Sequence, residues 1–443
     1  MRGQRKYGKI IPNGKRGEGM KFSLRYQEDN PGRLVYSTLL LFAISLLVVA
    51  FAMGSPASIA RGMVQIFLQS DALITDYIGV ASAGAAFFNA GIMMLCSILL
   101  LKALKVPFMG MSVACCFLMG GFSLFGKNLL NVLPILLGTQ IYAWYQHTSL
   151  ARYVYIGLFG TSLSPIVTEM ALMTRDWHFW PSILFSTLVG VFIGFVLPPI
   201  AAYTIRLHQG YNLYNVGFAA GLVGLVLVSL LRSFGNDFDT RLVWGEGHNA
   251  EMALFLGLLF TSMIALGWWY NGRSFRGFWH LTRHSGRSIA DFILMDGYPV
   301  TLINMGVVGL FAAGYVLLVG GQLNGPTIGG IFTIVGFGAF GKHLKNIFWV
   351  MLGVVISSWC MVWDLTDPAV MLAALFSTGL APIAGHFGPL WGTVAGIIHA
   401  SVVLNVGVLY SGLNLYNNGF AAGLVCIVLL PLIQALRREK EDE

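Results

Sequence analysis

The stretch Gly210–Val223, GYNLYNVGFAAGLV, occurs a second time as GLNLYNNGFAAGLV at Gly412–Val425. The two copies share 12 of 14 residues, including Asn, Tyr and a second Asn at the same offsets. Apolar helices often have similar compositions, but they do not usually keep polar residues in register. The stretch therefore indicates an internal duplication.

Further matches follow in the same order in both halves. GFSLFGKNLLNVLPILLG (Gly121–Gly138) shares 9 of 18 residues with GFGAFGKHLKNIFWVMLG (Gly336–Gly353). TSLSPI at Thr161–Ile166 matches TGLAPI at Thr378–Ile383. We therefore predict a membrane repeat at 34–232, a linker at 233–250 and a second membrane repeat at 251–436.

The composition places both repeats in a lipid bilayer. Apolar residues make up 56% of the 443 residues and charged residues only 10%, whereas soluble domains carry about 25% charged residues. Runs such as Leu34–Gly54 and Met252–Tyr270 approach the roughly 20 apolar residues that cross a bilayer. The sequence predicts an all-α, multi-pass protein of the cell (plasma or inner) membrane, because a β-barrel would show short alternating segments.

Positive charge predicts the orientation of the two repeats. Residues 1–33 hold nine Lys or Arg and three acids, which predicts a basic cytoplasmic tail near anionic lipid and no nucleic-acid partner. The span Met252–Tyr270 is followed by four arginines, at positions 273, 276, 283 and 287. We expect the equivalent spans to cross the membrane in opposite directions, as in inverted repeats. We also predict a charged C-terminal tail at 437–443 on the cytoplasmic side. A parallel duplication would instead place the four arginines outside.

Each repeat offers about seven apolar segments. If the repeats are inverted, each must cross the membrane an odd number of times. The seven segments then give either five crossings with two half-spanning re-entrant elements, which we favour, or seven crossings. Met109–Gly120 and Val154–Ile166 are the predicted short elements. Gly160 and Pro165 interrupt the second of them, and irregular backbone is tolerated at membrane depth where it lines a cavity.

The repeated polar residues are the candidates for a solute path. The asparagines beside each repeated tyrosine either begin a helix as caps or bind the solute. Two lysines, each four residues before an asparagine, either extend to the lipid headgroups or attract anions. These candidates are Asn212, Tyr214, Asn215, Asn414, Tyr416, Asn417, Lys127, Asn131, Lys342 and Asn346.

A second group of candidates has weaker support. Asn89 and Asn304 are separated by the same number of residues as Lys127 and Lys342. Thr161 and Thr378 begin the T-x-L-x-P-I elements. Ionisable residues inside membranes are functional candidates: Glu169 with its counterpart His386, and His399. Glu169 fits an interfacial position equally well, and His399 fits either a core histidine or a gating group. Catalytic motifs and metal-ligand spacings were not found, so we predict no enzyme activity, no metal and no cofactor.

The doubled N-L-Y-N-x-G-F-A-A-G and F-G-K-x-L-x-N elements resemble uncharacterised prokaryotic families of multi-pass membrane proteins. The architecture is similar to that of urea transporters and their relatives, the membrane subunits of ion-pumping NADH–quinone oxidoreductases. Gly210–Asn212 and Gly412–Asn414 are similar to a G-x-N element of those transporters. This resemblance implies a pore in each protomer and a homo-oligomer, a trimer by analogy.

Two departures limit what the resemblance implies. The urea transporter signature L-P-x-x-T-x-P-F is missing from both halves, so urea is not the predicted solute. GTSLSP at Gly160–Pro165 is not the S-G-A-T-like sequence to which relatives attach FMN, so no flavin is predicted.

The predicted function is a transporter or channel for a small polar solute, uncharged or anionic, with a path between the two repeats. The alternative is a non-catalytic membrane subunit of a larger redox or biosynthetic complex. Copurifying partners or visible absorbance would favour the alternative.

Overall fold

The computed structural model describes residues 31–71, 74–236, 238, 241–288 and 290–441. Most of the predicted basic tail and the last two residues of the C-terminal tail lie outside the described residues. The first half contains α1 (Pro31–Met53), α2 (Pro56–Leu68), α3 (Tyr77–Val80), α4 (Ala83–Ala103), α5 (Gly110–Phe122), α6 (Leu129–Tyr145), α7 (Val154–Gly160), α8 (Ser164–Met173), α9 (Phe179–Leu207) and α10 (Asn215–Ser233). The second half contains α11 (Asn249–Tyr270), α12 (Phe278–Leu281), α13 (Phe292–Asp296), α14 (Tyr298–Leu318), α15 (Gly325–Phe337), α16 (Leu344–Cys360), α17 (Pro368–Ser377), α18 (Ala381–Phe387), α19 (Pro389–Val406) and α20 (Asn417–Glu441).

Short elements connect these helices. The 3₁₀ turns Thr161–Leu163 and Thr378–Leu380 join α7 to α8 and α17 to α18, and Gly407–Tyr410 extends α19. In the predicted linker, the two-residue strand β2 (Leu242–Val243) pairs in parallel with β1 (Ile74–Thr75) of the first half. Helix α20 continues to Glu441, so the start of the predicted C-terminal tail extends the last helix.

Ten helical stretches in the described part of the chain are long and apolar enough to cross a membrane. The all-α, multi-pass membrane fold is therefore confirmed. Five stretches lie in each half, namely Gly32–Met53, Ala83–Ala103, Val154–Met173, Phe179–Leu207 and Asn215–Ser233, then Asn249–Tyr270, Tyr298–Leu318, Pro368–Phe387, Pro389–Tyr410 and Asn417–Arg437. Four apolar helices are shorter, namely α5, α6, α15 and α16.

One of the two predicted short elements differs in the structure. Helix α5 corresponds to Met109–Gly120, but the second short helix is α6, whereas Val154–Met173 is long enough to cross. The interruption does not reverse the chain. Pro165 lies in the first turn of α8, where its missing N–H leaves no helical hydrogen bond unmade. On either side of the interruption the chain packs along the same helix α9: Gly160 contacts Leu197, and Val167 contacts Gly190.

Glycine allows the short helix α6 to pack backbone to backbone with α9. A Cβ atom on Gly194 would lie 1.9 Å from the carbonyl oxygen of Ile135, and a Cβ on Gly138 would lie 2.0 Å from that of Val191. The second half repeats this contact between α16 and α19, where a Cβ on Gly396 would lie 2.0 Å from a carbonyl oxygen. Small residues permit such close helix approach in membranes.

The two halves meet along the short helices α5 and α15. Gly121, at the end of α5, lies against Gly329 near the start of α15, whereas Gly110, at the start of α5, lies against Ala339 just after α15. The two helices therefore run antiparallel. The contacts are also reciprocal. Gly336 is the counterpart of Gly121, and Ala114 is the counterpart of Gly329. Gly336 lies against Ala114, just as Gly121 lies against Gly329. Such reciprocity is expected of two units related by a two-fold axis.

Helices α10 and α20 form a second reciprocal contact through the repeated G-F-A-A-G segments. Gly221 lies against the ring of Phe420, and Gly423 lies against the ring of Phe218. Glycine is needed here because a Cβ would overlap each ring at 2.3–2.4 Å. Each glycine-phenylalanine segment thus packs against its own copy.

The helix directions follow from these contacts. Gly84, near the start of α4, lies against Gly54 just after α1, and Gly267, near the end of α11, lies against Pro299 at the start of α14. Thus α1 is antiparallel to α4, and α11 to α14. Gly120, near the end of α5, lies against Met94 in the middle of α4, and Gly338, just after α15, lies against Met305 in the first half of α14, so the chain also reverses before α5 and before α15. Since α5 and α15 are antiparallel, α1 and α11 run in opposite directions.

Candidate functional site

The second F-G-K element places Lys342 in the protein interior. Gly341 turns the chain between α15 and α16 with a φ of +99°. The lysine ammonium donates hydrogen bonds to the hydroxyl of Tyr214 and, at 2.8 Å, to Thr378 Oγ1. It also lies 4.6 and 5.1 Å from the ring centroids of Tyr214 and Phe337. Lys342 is 0% exposed, so its ammonium does not reach a lipid headgroup. We call these residues the Lys342 site.

The first F-G-K element buries Lys127 as completely, at 0% exposure, but with weaker partners. Its ammonium contacts Met119 Sδ at 3.6 Å and lies 5.0 Å from the ring centroid of Phe122. Thr161, the counterpart of Thr378, donates to the same sulfur at 3.5 Å. A thioether is a weak acceptor. The Lys127 site (Lys127, Met119, Phe122, Thr161) therefore leaves its ammonium poorly satisfied.

The repeated tyrosines connect the two sites. Tyr416 is the counterpart of Tyr214, and its ring lies 5.1 Å from that of Phe122 in the Lys127 site. Its hydroxyl is buried without a hydrogen-bond partner among the described residues, whereas the Tyr214 hydroxyl accepts from Lys342. The two tyrosine rings are 4.9 Å apart and nearly perpendicular. Equivalent residues thus form a fully bonded site on one side and an unsatisfied site on the other.

A cavity of about 170 Å³ lies between the two halves. This volume has room for several water molecules or for a solute of a few heavy atoms. Its walls include both repeated tyrosines and residues from α5, α7, α9, α10 and α15, among them Tyr155, Asn215 and Phe337, together with Ser288 from the segment between α12 and α13.

Asn212 and Asn414 shape the turn that presents each tyrosine. Asn212 Oδ1 accepts from the backbone N–H of Tyr214 at 2.9 Å, and Asn414 Oδ1 accepts from that of Tyr416 at 3.0 Å. The Asn212 amide also donates to the carbonyl of Gly419 in the other half at 3.0 Å. The Asn414 amide nitrogen is buried without a partner in the described part of the chain.

Asn215 and Asn417 begin α10 and α20 and connect each helix to the one before it. The Asn215 amide donates to the carbonyl of Ala201 at 2.9 Å, and the Asn417 amide donates to that of Val403 at 3.2 Å. In both cases the partner lies 14 residues earlier. Both asparagines are the first residues of their helices, but the N-cap of α10 is Tyr214 and no side-chain capping bond is made there, so the predicted capping role is wrong for Asn215. Asn215 also lines the cavity.

Asn89 and Asn304 hold the backbone before each lysine. The Asn89 amide donates to the carbonyl of Lys127 and to a carbonyl four residues earlier, both at 2.7 Å. The Asn304 amide makes the same two bonds around Lys342, both at 2.8 Å. These asparagines position the lysine loops and do not face the cavity.

Asn131 and Asn346 close the same loops from the other end. Each side-chain oxygen accepts from the backbone N–H three residues earlier at 2.9 Å, and each amide donates to the carbonyl of the glycine before the lysine. Asn131 also donates to the buried carboxylate of Asp71 at 3.2 Å. Among the described residues, neither Asp71 nor any other acid forms an ion pair with Lys127 or Lys342.

Two aspartates that we did not identify from the sequence fix the ends of the short helices. Asp76 Oδ1 accepts from the N–H of Gly325 at 3.0 Å, and Asp291 Oδ2 accepts from that of Gly110 at 2.9 Å. Each carboxylate thus caps the short helix of the opposite half, where negative charge is favourable. Burial nevertheless raises the pKa of Asp76 to about 6 and raises that of Asp291. Asp76 and Asp291 are 215 positions apart, as are Lys127 and Lys342. This shared offset could have identified the two aspartates as a repeated pair in the sequence.

A family profile described as "Protein of unknown function (DUF1576)" matches residues 55–233 and 270–435. The chain belongs to this family. No curated protein and no solved structure matches it. Every candidate residue of the two lysine sites lies within the matched regions of the DUF1576 profile.

Three other candidates in the DUF1576 regions lie apart from the lysine sites. Glu169 accepts from Ser70 Oγ at 2.6 Å. His386 is exposed, bonds to the hydroxyl of Tyr211 and stacks on its ring. His399 is buried, with Nε2 at 3.0 Å from Asn418 Oδ1 and Nδ1 without a partner among the described residues. No described contact connects these three residues with Lys127 or Lys342.

Proposed function

We propose that this protein is a membrane transporter or channel for a small polar solute, which binds between the two halves at the lysine sites. Of the two solute classes that the sequence left open, uncharged and anionic, we favour a small anion. The observation that carries this proposal is the complete burial of Lys127 and Lys342 without an ion pair among the described residues.

The energetic reason is the cost of an unpaired charge. An ammonium removed from water loses several kcal/mol of hydration, and a buried charge without a counter-charge is strongly destabilising. A bound anion would supply that counter-charge. The tyrosine hydroxyls beside the lysines provide further donors. The Tyr214 hydroxyl accepts from Lys342 and keeps its own proton, and the Tyr416 hydroxyl has no partner among the described residues.

We further propose that the two halves have inverted orientations in the membrane. The antiparallel pairs α5–α15, α1–α4 and α11–α14 support this arrangement. A two-fold axis that relates antiparallel helices is perpendicular to them. If the helices span the membrane, this axis lies in the membrane plane. Inverted repeats usually bind their substrate at the repeat interface. The cavity beside Tyr214 and Tyr416 has this position.

The difference between the two lysine sites supports two alternating states. In one state Lys342 is bonded to Tyr214 and Thr378 while Lys127 and Tyr416 lack comparable partners. In the exchanged state the roles would be reversed. A solute anion bound by Lys127 and Tyr416 would replace the missing bonds and shift the equilibrium between the states.

Thermal unfolding and flux measurements test the proposal. Full-length protein in detergent would be titrated with chloride, nitrate, formate, acetate, phosphate and sulfate, and with urea and glycerol as uncharged solutes. We expect at least one anion to raise the melting temperature, since a ligand of the native state stabilises it. We expect the same anion to cross proteoliposomes that contain the protein.

The variants Lys127→Met and Lys342→Met should abolish this flux, whereas Lys345→Met, outside both lysine sites, should keep it. If only urea or glycerol stabilised the protein and crossed the membrane, the choice of an anion would be wrong. If no solute did either, or if the protein copurified with a coloured partner, transport itself would be wrong.

A further inference from the structure

Two histidines and an aspartate converge at the end of the loop that follows α11. His280 Nδ1 lies 2.7 Å from Asp296 Oδ1, and His284 Nε2 lies 2.8 Å from Asp296 Oδ2. The three ligand atoms all lie within 4.8 Å of one another. We propose that these residues form a binding site for a divalent transition-metal ion, with Zn²⁺ as the best fit. This proposal does not depend on the transport proposal.

The local fold holds the three side chains on one side of the loop. His280 belongs to the single-turn helix α12, and His284 follows in the turn beyond it, where the N–H groups of Arg283 and His284 donate to the carbonyls of His280 and Leu281. The rings are 5.1 Å apart and perpendicular. Asp296 is the last residue of α13, and Gly297 turns the chain there with a φ of +87° before α14 begins. The position of the carboxylate is therefore fixed by backbone and not by a flexible loop.

The charge at this site suits a cation. The Asp296 side chain is only 4% exposed, and each of its oxygens faces one imidazole. No lysine or arginine forms an ion pair with it among the described residues. On metal binding, each imidazole would coordinate through the nitrogen that faces the carboxylate, with its proton on the other ring nitrogen and any second proton released to solvent, and one carboxylate oxygen would be the third ligand.

The ligand types select the class of metal. Two imidazole nitrogens and one carboxylate oxygen are common ligands of Zn²⁺ and of neighbouring first-row ions, whereas Mg²⁺ and Ca²⁺ prefer oxygen alone. The rest of the zinc coordination would be completed by water, because the His280 side chain is 65% exposed. Three protein ligands with one position open to water differ from the four protein ligands of closed structural zinc sites.

Occupancy of the site would hold the segment that borders the cavity. The metal would join α12 to the end of α13, and Ser288, between these two helices, lines the cavity. His284 also contacts the start of α16, because its carbonyl lies 2.8 Å from His343 Nε2. Bound metal would therefore restrict the backbone at one mouth of the cavity.

Titration with Co²⁺, an optical substitute for Zn²⁺, tests the site. Full-length protein without a histidine tag would be titrated in detergent while the visible d–d absorption is recorded. We expect saturation at one Co²⁺ per chain, displacement by Zn²⁺ and no displacement by Mg²⁺. His280→Ala and His284→Ala should each weaken Co²⁺ binding at least tenfold.

The matched control is His178→Ala, which removes an exposed histidine at the start of α9 and should leave binding unchanged. His280 is largely exposed, so its alanine variant should keep the wild-type elution volume and melting temperature. Absence of saturable Co²⁺ absorption would show that the three residues form only a hydrogen-bonded cluster. Equal binding by the wild type and both site variants would place the metal elsewhere and overturn the proposal.

Discussion

Replacing each buried lysine by methionine should have different effects on stability in the absence of solute. Methionine has a similar length and no charge. At Lys127 the change removes a buried ammonium whose only hydrogen-bond partner among the described residues is a sulfur at 3.6 Å. Replacing a buried ion pair by apolar residues is often neutral or stabilises a protein by about 1–4 kcal/mol, and a buried ammonium without a counter-charge has the desolvation cost with no pair energy to offset it. We therefore expect Lys127→Met to raise the free energy of unfolding by about 1–3 kcal/mol.

Lys342→Met removes the same charge but also breaks two hydrogen bonds. The hydroxyls of Tyr214 and Thr378 lose the ammonium donor, and a hydrogen bond to a charged group contributes about 1.5–3 kcal/mol. This loss cancels or exceeds the gain from removing the buried charge. We expect Lys342→Met to leave stability unchanged or to lower it by about 2 kcal/mol.

The assay is thermal unfolding of both variants and the wild type in detergent, in a buffer whose only anion is large, such as gluconate. The expected gain for Lys127→Met and the expected neutral or lower stability of Lys342→Met give a difference of about 1–5 kcal/mol in favour of Lys127→Met. Equal destabilisation by both substitutions would refute the reasoning. In that case Lys127 has a strong partner, and the difference between the two lysine sites is not a property of the protein.

Three further predictions concern the parts that position these sites. Asn304→Ala leaves two buried carbonyls unpaired and should lower the free energy of unfolding by about 2–4 kcal/mol. Asn405→Ala, at an exposed amide, should change it by less than about 0.5 kcal/mol, and equal losses would contradict the buried role. Gly194→Ala puts a Cβ 1.9 Å from a carbonyl oxygen of α6 and should lower the melting temperature, whereas Gly257→Ala, which meets open space, should not. Because burial raises the pKa of Asp76 from 3.8 to about 6, its folded carboxyl holds a proton more tightly than the unfolded one. Its stabilising contribution is therefore complete below about pH 4 and is lost as the pH rises through about 6, by roughly 3 kcal/mol. Melting curves of Asp76→Asn should show a smaller decrease over this pH range, and an unchanged slope would count against the assignment.

The sequence by itself determined the membrane class, the all-α fold and the paired candidate positions. Apolar runs near 20 residues require a bilayer, and helices satisfy their backbone hydrogen bonds locally, so these features need no knowledge of distant contacts. Identities at fixed offsets also paired Lys127 with Lys342 and Tyr214 with Tyr416. The resemblance to urea transporters, the oligomer and the cytoplasmic termini stay predictions.

Tertiary structure alone decided how the paired residues are used. The sequence treats Lys127 and Lys342 alike, but only one of them reaches a tyrosine hydroxyl. The exchange of Asp76 and Asp291 between halves, and the meeting of His280 with Asp296, likewise join positions that are distant along the chain. The physical reason is that the local pattern of apolar residues determines where a helix forms and which of its faces is apolar. Packing between helices fixes which polar atoms face one another in the interior, and there each unsatisfied group carries a large cost.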